Sequence, residues 1–142
     1  MSDQLEPKRT SRDLNEIQEL LAHWLKEKIS DSEAVITDLR RPSGSGMSSE
    51  TLLFNAKSKN TNPSNESSLV ARLAPTPADI PVFQKYDLDL QVRIMKIVRE
   101  KTSIPVPNVL WLETDPTVLG VPFFIMEQVN GRVPPDIPPY VF

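Results

Sequence analysis

Fourteen prolines set against four glycines restrict where this chain can carry regular structure. Proline lacks the backbone N–H that helix interiors and inner strands require, and it pushes the residue before it out of the α region. The excess must therefore sit in connections. It does so in residues 74–84 (APTPADIPVFQ), in residues 104–108 (IPVPN) and in a tail with four prolines in its last nine residues.

Between these breaks the apolar spacing is regular. From Asp13 onward, Leu14, Ile17, Leu20, Leu21, Trp24, Leu25 and Ile29 recur at helical intervals, and Asp13 with Glu16 forms a D-x-x-E start signal, which predicts an amphipathic helix. Residues 34–40 (AVITDLR) alternate and are rich in β-branched side chains. Residues 51–56 (TLLFNA) make a second strand-like run across a Gly/Ser turn, and together they read as a hairpin. The polar stretch 57–67 predicts a surface loop leading into a third strand, 68–73 (SLVARL). A second helix is expected over 86–100, with Leu88, Val92, Met95 and Val98 on its buried stripe and Ile94 widening it. Residues 109–113 (VLWLE) and 122–127 (PFFIME) supply the fourth and fifth strands. This order predicts an α+β fold: a five-stranded antiparallel sheet with one flanking helix, preceded by an N-terminal amphipathic helix.

Composition narrows the function classes. A net charge of -3 offers no global positive field for a nucleic-acid backbone or an anionic bilayer, so neither is an expected partner. The absence of cysteine rules out disulfides and thiolate chemistry, and a single histidine, His23, cannot build a histidine zinc site. His23 reads as an ordinary half-exposed helix residue. The first ten residues contain no apolar core of a signal peptide and no apolar run approaches a membrane span, which makes the cytoplasm the expected location.

Three segments could carry chemistry. The turn Arg41-Pro42-Ser43-Gly44-Ser45-Gly46-Met47-Ser48-Ser49-Glu50 can bring backbone N–H groups and hydroxyls against an anion, although turn chemistry alone also accounts for its Gly and Ser. In the third strand Arg72 interrupts an apolar run on the face of Val70. It either reaches phosphates beneath that turn or is a plain exposed strand position. At the end of the fifth strand, residues 124–129 (FIMEQV) pass from core positions, Phe124 and Ile125, to a strand edge with backbone groups an adenine could use. No P-loop offers another phosphate site.

In order, the segments RPSGSGMSSETLLF, LVARL, YDLDLQVRIMKIV, IPVPNVLWLETD and GVPFFIMEQVNGR resemble the aminoglycoside phosphotransferase and choline-kinase-like family. They are most similar to the branch related to the kinase-like domain fused to some acyl-CoA dehydrogenases. The resemblance covers nearly all of residues 36–132. It implies a helical extension over 1–32, a protein-kinase-like nucleotide-binding N-lobe over 33–131, and a Pro-rich hinge or tail over 132–142 leading to an absent C-lobe. It also implies ATP as cofactor, with magnesium only in the presence of that C-lobe. Gly46, Met47, Ser48, Ser49 and Thr51 would lie over the triphosphate, Arg72 would replace the phosphate-binding lysine, and Gln91 would stand at the position of that lysine's glutamate partner. Met126 would back the adenine pocket, with the Glu127 carbonyl and the Val129 amide as its hydrogen-bond partners. Asp87, one turn before Gln91, is a candidate for the missing carboxylate.

Phosphoryl transfer needs an aspartate at the attacking hydroxyl and Asn and Asp ligands for magnesium. In the family these follow the hinge in an H-x-D-x-x-x-x-N loop, a pattern not found in the 142 residues. The expectation is therefore an ATP-binding lobe of a small-molecule kinase, acting on a hydroxyl of a metabolite or aminoglycoside-like acceptor but inactive alone. A non-catalytic α+β interaction module of the same fold is the alternative. Loss of a packing partner would expose an apolar patch, expected near Phe123, Phe124 and the tail, and with it a tendency to self-associate.

Overall fold

A computed structural model describes residues 12–42, 49–60, 66–76 and 85–131. Helix α1 (Leu14–Ile29) begins where the Asp13 carboxylate accepts from the Asn15 N–H at 2.9 Å, and it ends at Ser30 in the left-handed region (φ 53°). Both ends are thereby supplied with partners for otherwise orphaned backbone groups. Strands β1 (Val35–Arg40), β2 (Glu50–Lys57) and β3 (Ser67–Leu73) follow. Helix α2 (Leu88–Lys101) comes next, then β4 (Val109–Glu113) and β5 (Phe123–Glu127).

All pairings are antiparallel, in the order β1-β2-β3-β5-β4. The predicted five-stranded α+β sheet is the observed one. Each face carries a helix. On one side Ile17, Leu21, Trp24 and Leu25 of α1 pack with Leu52, Phe54, Leu73, Phe123 and Ile125. On the other, Leu88 and Val92 of α2 meet Val109 and Phe124, with Met95 and Met126 beside them. Alternation puts Phe123 and Phe124 on opposite faces, and a helix over each face leaves both at 0% exposure. The expected apolar patch is therefore not formed by these two phenylalanines.

Two irregularities change which side chains face the core. In β1 the register slips between Thr37 and Arg40, with Asp38 at φ 54°. This bulge turns Leu39 toward the α1 side, where strict alternation would have turned it away. In β4 the slip between Val109 and Trp111 places Leu110 and Trp111 together on the α1 side. Trp24 then meets Trp111 and Phe123 edge to face, with ring centroids 6.0 and 5.0 Å apart, geometry that favours aromatic pairs.

Ile94 departs from expectation. It does not widen the buried stripe of α2 but lies on the opposite side of the helix, 51% exposed, with Leu90 and Ile97. The helix has two apolar stripes, and the sheet covers only the one through Leu88, Val92 and Met95.

Candidate functional site

Arg72 occupies the central strand of the sheet. In β3 it stands opposite Thr51 of β2 and Phe124 of β5, so its side chain shares the α2 face with Thr51 and the buried Val70. The guanidinium is half-buried, and its Nε donates to the Ser49 hydroxyl at 3.1 Å. Ser49 immediately precedes β2, so this bond ties the middle of the sheet to the base of the Gly/Ser turn. Gly46, Met47 and Ser48 lie outside the described residues.

Gln91 is half-buried on α2. Among the described residues no hydrogen bond or ion pair joins Arg72 to Gln91 or to any carboxylate. Asp87, the candidate counter-charge, has a different task. It is the N-cap of α2 and accepts from the Leu90 N–H at 2.9 Å, which is also why the helix starts at Leu88 rather than at Tyr86.

At the far end of the sheet, Met126 pairs with Val70 and Val109 on the Arg72 face and is half-buried. The Glu127 N–H donates to the Asn108 carbonyl at 2.9 Å, and the Gln128 N–H donates to the Ser68 carbonyl at 3.0 Å. Val129, 66% exposed, is the first residue past this anchorage. Among the described residues its backbone pairs with no other backbone group. Arg72 and Met126 thus share one sheet face, with the Glu127–Val129 edge at one end and Ser49 at the other.

A second polar cluster was not anticipated. The Glu50 side chain is only 8% exposed, accepts from Arg41 Nη2 at 2.9 Å, and lies 3.8 Å from Arg12 Nε. Arg41 also donates to the Arg12 carbonyl at 2.9 Å, and Arg12 to the Leu119 carbonyl at 3.0 Å. Arg41 and Glu50 are the two ends of the Gly/Ser turn, so this ion-paired cluster closes its stems and fastens them to Arg12, the residue before the α1 N-cap. The only sequence signal was an opposite charge at each end of the turn.

Glu113 is a further anchor on the α1 side. It accepts from Trp24 Nε1 at 2.9 Å and from the Asp115 N–H at 3.1 Å, with Lys28 Nζ at 3.4 Å. These bonds, the indole's foremost, hold its carboxyl below the ordinary carboxylate range. Asp31 is held low in the same way, chiefly by the Ser58 hydroxyl at 2.7 Å.

No protein-family model matches the sequence. Over 46 residues the chain is 41% identical to an Arabidopsis thaliana protein named probable acyl-CoA dehydrogenase IBR3, a match that takes in 32% of this chain and 6% of that protein. Among solved structures, a protein of Ralstonia eutropha JMP134, provisionally named an aminoglycoside phosphotransferase, matches 83% of this chain with a TM-score of 0.55 and 24% identity. The two chains share a fold. It is the α+β arrangement of a protein-kinase-like N-lobe. The match takes in 29% of that solved chain. Among the described residues of the present chain no helix is long and apolar enough to cross a membrane.

Proposed function

We propose that the chain is the ATP-binding lobe of a small-molecule phosphotransferase. The reading is carried by the position of Arg72: a half-buried guanidinium on the central strand, bonded to Ser49 at the base of the Gly/Ser turn. It fits a polyphosphate because guanidinium N–H groups match phosphate oxygens and a partly desolvated site strengthens the attraction. In this reading Arg72, Ser49, Thr51 and the turn residues Gly46 and Ser48 hold the phosphates, and Gln91 orients the cation. Met126 backs the adenine, with Glu127 and Val129 as its hydrogen-bonding edge. ATP supplies the transferable phosphoryl group. The acceptor hydroxyl, the aspartate that receives its proton and the magnesium ligands belong to a C-lobe, and these 142 residues alone bind nucleotide without turnover.

One observation favours a second reading, a non-catalytic interaction module of the same fold: among the described residues no carboxylate contacts Arg72. The two readings separate in one experiment. ATP-dependent thermal stabilisation that disappears in Arg72→Ala supports the nucleotide lobe. No stabilisation at millimolar ATP, with or without magnesium, removes that reading and leaves the module.

A further inference from the structure

The outer face of α2 carries Leu90, Ile94 and Ile97 at spacings of four and three residues, 49%, 51% and 55% exposed. Val98, half-buried, flanks them, and Ile104, 59% exposed, follows just past the helix. Leu90, Ile94 and Ile97 thus line one side of α2 as an exposed apolar stripe, opposite the stripe that the sheet covers. The stripe is bounded by charge of opposite sign. Asp87, whose carboxylate accepts from the Leu90 N–H, stands at its N-terminal end, and Lys101, two helical turns beyond Ile94, at its C-terminal end; both are exposed.

We infer that this face pairs two copies of the chain, α2 against α2, antiparallel. A two-fold axis beside Ile94 sets Asp87 of each copy against Lys101 of the other, Leu90 against Val98, and Ile94 against its own counterpart. An isologous contact requires a self-complementary surface. An apolar stripe with an acid at one end and a base at the other, equidistant from its centre, meets that requirement in the antiparallel sense only. The parallel arrangement would bring acid to acid and base to base and would align the two helix dipoles. The outer face of α2 points away from the sheet that carries Arg72 and the Met126 to Val129 edge. Its area is below the ~800 Å² per partner of a standard interface, so association in the range of tens of micromolar is expected.

Sedimentation equilibrium of the 142-residue chain over about 1 to 300 µM tests this. The mass is expected to rise from 16.0 kDa toward twice that value. Ile94→Glu, at an exposed position, should hold the chain monomeric with its circular dichroism unchanged. Asp87→Asn keeps a helix cap while removing the charge, and Lys101→Glu places like charges together; each alters both symmetry-related contacts and should weaken pairing about tenfold. A wild-type chain that stays monomeric throughout, or an Ile94→Glu chain that pairs as the wild type does, overturns the inference. Pairing that Lys101→Glu leaves unchanged overturns it as well, because the antiparallel register is then wrong.

Discussion

Arg72 Nε lies 3.1 Å from the Ser49 hydroxyl, so the cation of the central strand is aimed at the base of the Gly/Ser turn. Such preorganisation lowers the ordering cost of binding an anion there.

Arg72→Ala is expected to weaken ATP binding ten- to a hundredfold, the loss that follows from removing a charge-assisted hydrogen-bond donor. Arg72→Lys should recover part of it, because the charge remains while the bidentate fork is lost. Ser49→Ala should cost only a few-fold. Isothermal titration of the three variants checks the ranking, and equal affinities across them would remove Arg72 from the site.

Leu21 of α1 is fully buried against the sheet, which makes the first helix part of the core. Leu21→Ala is expected to cost about 2–5 kcal/mol of stability, the range for a buried leucine that leaves a cavity. Denaturant unfolding measures it. A cost under about 1 kcal/mol would mean that α1 is a dispensable appendage.

The Trp24 indole donates to Glu113 and is the main reason that carboxyl titrates low. A folded-state value below the ordinary 4.5 means that Glu113 adds stability above that pH, and that this part is lost as the pH falls through the lowered value. Trp24→Phe should destabilise the chain by about 2 kcal/mol at neutral pH, from the lost bond to a charged acceptor. The gap to wild type should shrink on acidification. Urea unfolding at pH 7 and below pH 4 compares them, and a gap that stays constant with pH would detach Trp24 from the titration.

Glu50 separates two guanidinium groups. Glu50→Ala leaves Arg12 and Arg41 facing one another and should cost about 1–3 kcal/mol. Added salt should relieve part of that cost by screening the repulsion. Thermal unfolding at low and high ionic strength reads both effects. A cost indifferent to salt would make it one of packing rather than charge.

The elements and their order were legible in the sequence because their causes are local. Apolar residues at spacings of three and four mark α1, with the Asp13 cap at its start. Alternating runs mark the strands, and prolines mark the connections between them. From that order the antiparallel sheet follows, while the β3–β5 register that sets Arg72 and Met126 on one face came from the structure. The tertiary structure alone decided the rest, because burial depends on partners distant in sequence. The bulge at Asp38 turned Leu39 inward to meet a core built partly by α1. Helices over both faces buried Phe123 and Phe124, and the sheet took one apolar stripe of α2 and left Ile94 outside. Asp87 was drawn to the helix terminus by nearby unpaired N–H groups, which a carboxylate there satisfies without reaching Arg72. Glu50 found its counter-charges in Arg41, across the turn, and in Arg12, 38 residues before it, a meeting that only packing α1 against the sheet could arrange.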